Sequence, residues 1–279
     1  MTVKIITDST AYIDSKTQRD YNISVIPLNV HFGQEVYEET SLPYDYFYDR
    51  IEREKVFPFS SPPSFEKVYS VFREAVAQGE EVLGIFISKQ LSETFNTAVK
   101  VREELLGIYP DASITIIDSK NTCMALGLPV IAAAQAAQEG KNLYTIVDMV
   151  SEIIDKMHFY FIPVNLDYLR KGGRIGEASS LTNLFPQVPV LYTNNGRISV
   201  LKKDLNPENA LEQLLSLLYN DFKSKGLQQV VIHHIHCHYK AVNLAQDIKL
   251  RYGIKVPVLG IGPVIGLHAG PGTVGIVYY

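Results

Sequence analysis

Small hydroxyl residues recur where an apolar run gives way to polar sequence, and one histidine stands among glycines near the C-terminal end. After VKII (3–6) come Thr7, Asp8, Ser9 and Thr10. After VLGIFI (82–87) come Ser88 and then Leu91, Ser92, Glu93 and Thr94; after ITII (114–117) come Asp118 and Ser119. Hydroxyls in such places cap the free N–H groups of a following helix, and the same geometry holds a carboxylate or a phosphate. Both readings stand for Ser9, Ser92 and Thr94. The stretch PFSSPPS (58–64) adds a pair. Ser64 is a good N-cap for a helix beginning at Phe65 and Pro62 and Pro63 stiffen the turn, which leaves Ser60 and Ser61 to point elsewhere. GLHAGPG (266–272) sets His268 between VPVLGIGPVI and TVGIVYY. Its glycines permit a sharp backbone path that delivers one imidazole to a fixed place.

Two further clusters carry chemistry-bearing side chains. LDYLRKGGRI (166–175) gathers Arg170, Lys171 and Arg174 around two glycines. Arginine there reaches a phosphate or carboxylate, or the stretch is a solvated helix end closed by glycine. In HHIHCH (233–238), His234, His236 and His238 would share one face of a strand, and three imidazoles hold zinc. The stretch runs from a strand into a helix, which breaks the alternation, and no acidic residue is close in sequence. Histidines at a loop end are therefore expected, with no metal. No phosphate-binding G-x-x-x-x-G-K-[ST] and no G-x-S-x-G elbow occurs; GIGPVIG has one residue too many before its last glycine and a proline inside.

These residues need elements to position them. β-Branched runs at 3–6, 82–87 and 114–117 alternate with amphipathic helices at 64–79 and 91–107, the pattern of βαβ units and a mainly parallel sheet. In such a sheet ligands bind beyond the carboxyl ends of the strands, where the hydroxyls lie. Residues 143–157 form a helix on an apolar stripe, followed by the strand HFYFIPV. Helix-like segments flank the Gly-Gly break across 165–185. Asn195-Gly196 turns a hairpin over 188–203. A helix (207–224), the strand VVIHHIH, a helix (239–251) and two last apolar strands follow. The expected fold is α/β with two α/β domains, 1–160 and 161–279, the first with a mainly parallel sheet.

Composition narrows the class. The chain has 279 residues, enough for two domains, with 46% hydrophobic and 20% charged residues. Its 26 basic and 30 acidic residues are mixed, giving a net charge of −4 without the basic block that nucleic acid requires. Cys123 and Cys237 lie far apart and outside any CxxC, so no disulfide framework is expected. The N-terminus MTVKIITDST reads as a strand rather than a signal peptide, and no apolar run spans a bilayer. A cytoplasmic location follows as the expectation.

Taken in order, TDST (7–10), SSPPS (60–64), SKQLSETFNTA (88–98), IDSKNTCMALG (117–127), LDYLRKGGRI (166–175) and GPVIGLHAGPG (262–272) resemble the DegV family of bacterial fatty-acid-binding proteins, which includes the FakB subunits of fatty acid kinase. The resemblance runs nearly end to end. It implies two α/β domains enclosing a long-chain fatty acid in an apolar tunnel, with the carboxylate met by Ser60, Ser92 and His268. Ser61, Ser9 and Thr94 are secondary ligand-binding candidates. It also implies a protein without turnover or cofactor of its own, which presents its fatty acid to a separate kinase subunit. Arg174 and Arg170 are the candidates for partner or phosphate contact. The alternative is the substrate-binding subunit of a dihydroxyacetone-kinase-like enzyme, with His268 holding a small carbonyl compound. This sequence departs from the family's pattern at Glu93, where a glycine is usual, and at Pro62, where a glutamine is common.

Overall fold

The computed structural model describes residues 2–54, 57–174 and 187–279. In chain order, β1 (Val3–Asp8), α1 (Ser15–Asp20), β2 (Ser24–Ile26), β3 (Asn29–Phe32) and β4 (Glu35–Glu38) lead to α2 (Tyr44–Glu54). Next come β5 (Phe59–Ser61), α3 (Phe65–Ala77), β6 (Glu81–Phe86), α4 (Thr94–Ile108), β7 (Ile114–Asp118), α5 (Met124–Gln138) and α6 (Leu143–Lys156). The remaining elements are β8 (His158–Ile162), α7 (Leu166–Lys171), β9 (Val188–Asn194), β10 (Arg197–Leu205), α8 (Pro207–Lys225), β11 (Val230–His234), α9 (His238–Tyr252), β12 (Val258–Gly260), α10 (Pro263–Ala269) and β13 (Val274–Tyr278). The second helix-like segment expected beyond the Gly-Gly break falls on 175–186, outside the described residues.

The chain forms two compact units. One comprises Met1–Ser41 with Ser60–Lys156, the other Leu42–Phe59 with Met157–Tyr279. A single division at 160/161 makes no allowance for the segment 42–59, which the chain hands to the C-terminal unit before returning. The reason is local to α2. Its Phe47, Tyr48 and Ile51 are buried, and Tyr48 Oη donates to Ile261 O at 2.9 Å, 213 residues further on.

In the first unit a four-stranded sheet runs β2-β1-β6-β7, parallel throughout. A second, three-stranded sheet runs β4-β3-β5. Helix α3 shows why the sequence folds locally as it does. Ser64 Oγ accepts from Lys67 N at 3.2 Å, and Val68, Phe72, Ala75 and Val76 fall on one stripe and are buried. They pack with Val101 and Leu105 of α4 and Val82 and Phe86 of β6 in one core. Helix α5 is apolar on nearly every face and lies close to the turn after β1. A Cβ at Gly127 would stand 2.5 Å from Ala11 O, so only glycine allows that approach.

The second unit has a six-stranded sheet ordered β10-β9-β8-β13-β11-β12. The pairs are antiparallel except β11 with β12. The hairpin β9–β10 turns at Asn195 and Gly196, whose φ values of 47° and 83° are those a tight two-residue turn demands. Helices α8 and α9 bury Leu214, Leu218, Leu244 and Ile248 against this sheet. The expected strand over VVIHHIH stops at His234, because His236 takes φ +48° and breaks the ladder. Between the last two strands GPVIGLHA is helical. Pro263 starts α10 with its φ already fixed.

The stacked pair Phe72 and Phe86, with centroids 6.2 Å apart, lies at the centre of the first unit's core. Phe72→Ala is expected to cost about 3–5 kcal/mol, read as a fall in the chemical denaturation midpoint.

Candidate functional site

The carboxyl ends of β1, β6 and β7 carry a buried polar layer in the first unit. Asp8 sits at its centre. Its Oδ1 accepts from Thr10 N (3.0 Å) and Thr10 Oγ1 (2.5 Å), and its Oδ2 accepts from Ile87 N (2.7 Å). Burial pushes its pKa up to about 6, and these hydrogen bonds hold it from rising further. The carboxylate thereby ties the end of β1 to the start of the loop carrying Ser88 and Ser92. Ser9 is committed elsewhere: its Oγ donates to Glu39 Oε2 at 2.5 Å and accepts from Leu28 N at 3.0 Å. Tyr12 Oη donates to the other oxygen of this buried glutamate at 3.0 Å. Ser88 and Ser119 are turn-formers, accepting from Gln90 N and Asn121 N at 3.1 Å each.

Two further hydroxyl groupings include half-buried serines. Ser92 heads α4, its Oγ 2.9 Å from Thr94 Oγ1 and accepting from Thr94 N at 3.3 Å. Ser61 Oγ lies 2.8 Å from His31 Nε2, joining β5 to β3, and Ser60 precedes it on β5. His31 is a residue the sequence reading missed; its only signal was its place on a short alternating strand beside the PFSSPPS turn. The carboxylate of Glu93 is turned away from the hydroxyls. It is exposed and accepts from Asn96 Nδ2 at 2.9 Å, along the helix surface.

In the second unit His268 lies near the end of α10, 8% exposed. Its pKa is lowered to about 3, chiefly by burial and then by the neighbouring positive charge of Arg174. The imidazole is therefore neutral at physiological pH, able to donate one hydrogen bond and accept another. Its bed is the end of α7. A methyl group at Gly172 would overlap His268 Nδ1, so the first glycine of the Gly-Gly pair is the space the ring occupies. Arg174 Nη1 donates to Gly172 O at 2.5 Å, and burial lowers its pKa. Arg170 is paired with Asp167 at 3.2 Å, and Lys171 Nζ sits 5.0 Å from the Phe57 ring centroid. Gly270 and Gly272, at φ +85° and +86°, turn the chain directly against Tyr168 and Val164.

Ser60, Ser61, Ser92, Thr94 and Ser9 thus belong to the first unit, and His268, Arg174 and Arg170 to the second. The 233–238 histidines divide. His233 is buried, with Nδ1 3.3 Å from Leu259 O, and burial lowers its pKa to about 4. His234 Nε2 meets His238 Nδ1 at 3.2 Å, and His236 faces Asp45 at 3.8 Å. Among the described residues no group of three or more histidine, cysteine, aspartate or glutamate side chains is placed to hold a metal ion. Nor is any helix among them long and apolar enough to cross a membrane.

The buried titrating groups dictate acid behaviour. His268 and His233 have folded pKa values depressed below 6.5, so the unfolded chain binds more protons and their stabilisation is lost as pH falls from about 6.5 toward 4. Asp8, raised from 3.8 to about 6, acts oppositely between those values. Each group contributes a limiting slope of about 1.4 kcal/mol per pH unit. Denaturation midpoints are expected to fall on acidification from about pH 6.5, and His268→Gln to flatten the decline by removing the His268 contribution. Gly172→Ala is expected to displace the imidazole and return part of its lost basicity, read as a raised His268 pKa in an NMR titration.

The family model described as "Uncharacterised protein, DegV family" matches residues 2–279. A DegV domain-containing protein of Clostridium acetobutylicum is 40% identical over 280 residues, covering 100% of this chain and 98% of that protein. The crystal structure of DegV from Bacillus subtilis, described as a fatty acid binding protein, is 26% identical. It superposes with a TM-score of 0.89 over 100% of this chain and 99% of its own. A stearic acid-binding protein from Eubacterium ventriosum is also 26% identical, with a TM-score of 0.90 over 99% of this chain and 98% of its own. With a match that begins at the second residue and ends at the last, this chain belongs to the DegV family.

Proposed function

We propose that this protein binds a long-chain fatty acid, its carboxylate held by the hydroxyls of Ser60 and Ser92 and by the imidazole of His268. Thr94, hydrogen-bonded to Ser92, and Ser61, next to Ser60 on β5 and paired with His31, flank these contacts. The observation that carries the reading is full-length similarity to structures described as fatty-acid-binding, in a chain that has two half-buried serines and a neutral buried imidazole. Neutral donors suit a carboxylate, because they hydrogen-bond the charge directly. Arg174 beside His268 supplies the positive field.

The energetics are divided between the two ends of the ligand. Burying about 14 methylenes at ~0.8 kcal/mol each gives roughly 11 kcal/mol before ordering costs. Each hydrogen bond to the charged head adds about 1.5–3 kcal/mol at most. The tail sets affinity and the polar residues set orientation. The protein acts as a carrier that offers its head group to a separate kinase subunit for acyl-phosphate formation. Arg174 and Arg170 are the residues that meet that partner or the transferred phosphate.

Organic extraction of the purified protein followed by mass spectrometry is expected to release long-chain fatty acid. Mildly delipidated protein is expected to take up oleate or palmitate; failure to take up either would overturn the reading. His268→Ala is expected to weaken oleate binding about tenfold rather than abolish it, the loss of one charge-assisted hydrogen bond.

A further inference from the structure

Helix α2 lies outside every hydroxyl and imidazole motif, yet one of its side chains reaches the start of the histidine helix. Tyr48 is 1% exposed, and its Oη donates to Ile261 O at 2.9 Å and lies 3.3 Å from Gly262 O. These carbonyls immediately precede Pro263, the first residue of α10. That end has no capping side chain: the N-cap is Gly262, and Pro263 brings no N–H. Gly262 O also accepts the helix's first internal bond, from Gly266 N at 2.9 Å.

The fit is reciprocal. A methyl group at Gly266 would overlap Tyr48 Oη and stand 2.8 Å from Cζ, so the bare face of α10 is the space that the phenol fills. The phenol ring is itself fixed, meeting Phe47 edge-on at 5.0 Å and the His236 ring at 5.3 Å. A helix of seven residues has too few internal bonds to hold its own position. Its placement comes from what it packs on, which is Tyr48 at its first turn and Gly172 at His268.

We propose that Tyr48 is a positioning residue for His268: by anchoring the carbonyls that begin α10, it sets where the imidazole stands and so how strongly a carboxylate is preferred over an uncharged head group. The preference rests on the fatty-acid reading above; the placement of His268 does not. This also gives the 42–59 segment a purpose, since its departure from the first unit brings the phenol to this helix.

Tyr48→Phe removes the hydroxyl alone and tests the proposal in two ways. In ligand-free protein with isotope-labelled histidine, the His268 ring resonances are expected to move while those of His158, at the start of β8, stay in place. Unmoved His268 resonances in folded Tyr48→Phe would overturn the proposal. In binding, the ratio of oleate affinity to oleyl alcohol affinity is expected to fall about fivefold, the worth of one hydrogen bond, with alcohol affinity held. An unchanged ratio, or equal losses for both ligands, counts against positioning and for a merely structural role. If the wild-type protein binds neither ligand, the fatty-acid reading fails and the resonances alone decide. Should Tyr48→Phe not fold, Gly266→Ala, which displaces the same hydroxyl from the other side, carries both readouts.

Discussion

An imidazole enclosed in protein cannot keep a second proton without giving up its hydration, and the end of this chain is arranged around that cost. His268 is held neutral by burial and by the nearby guanidinium of Arg174. Shape contributes to the place of this neutral ring. Gly172 leaves the space for the ring, and Gly270 and Gly272 turn the chain away in a conformation that side chains rarely adopt. The glycines around the histidine are thus not a mark of looseness. Each marks a place where backbone and side chain come too close for a Cβ or turn too sharply for one.

The first unit meets a different constraint with a different device. Parallel strands end in N–H groups and buried hydroxyls that must all be satisfied. Most of them are satisfied internally: Asp8 by Thr10 and Ile87, Ser9 by Glu39 and Leu28, Ser119 by Asn121. This buried layer costs Asp8 its ordinary acidity and fixes the loop that presents Ser92. The hydroxyls left half-buried, at Ser60, Ser61 and Ser92, stand on that frame. On the proposed reading these hydroxyls orient the head group and the hydrocarbon supplies the affinity.

Much of this was legible in the sequence, for identifiable reasons. β-Branched runs followed by amphipathic helices gave the parallel sheet, Ser64 announced its helix, and Asn195-Gly196 announced its turn, because each signal is local. What escaped is non-local. Nothing in YDYFYDR says that Tyr48 will bond to carbonyls 213 residues away, so the excursion of 42–59 was invisible. The helix at 263–269 was hidden because its one glycine, Gly266, is there for packing against Tyr48, and glycine otherwise argues against helix. His31 was missed because its partner, Ser61, lies on a different strand. The hydroxyl motifs were found as a group, but which hydroxyls are consumed internally depends on Glu39, a residue no motif contains.

The proposed binding of a fatty-acid carboxylate by Ser92 and His268 is tested most directly by NMR of oleate labelled at its carboxyl carbon, bound to the wild-type protein, Ser92→Ala and His268→Ala. The account predicts, at neutral pH, a bound carboxyl resonance distinct from that of free oleate that shifts in each variant. A resonance identical in all three proteins would contradict it.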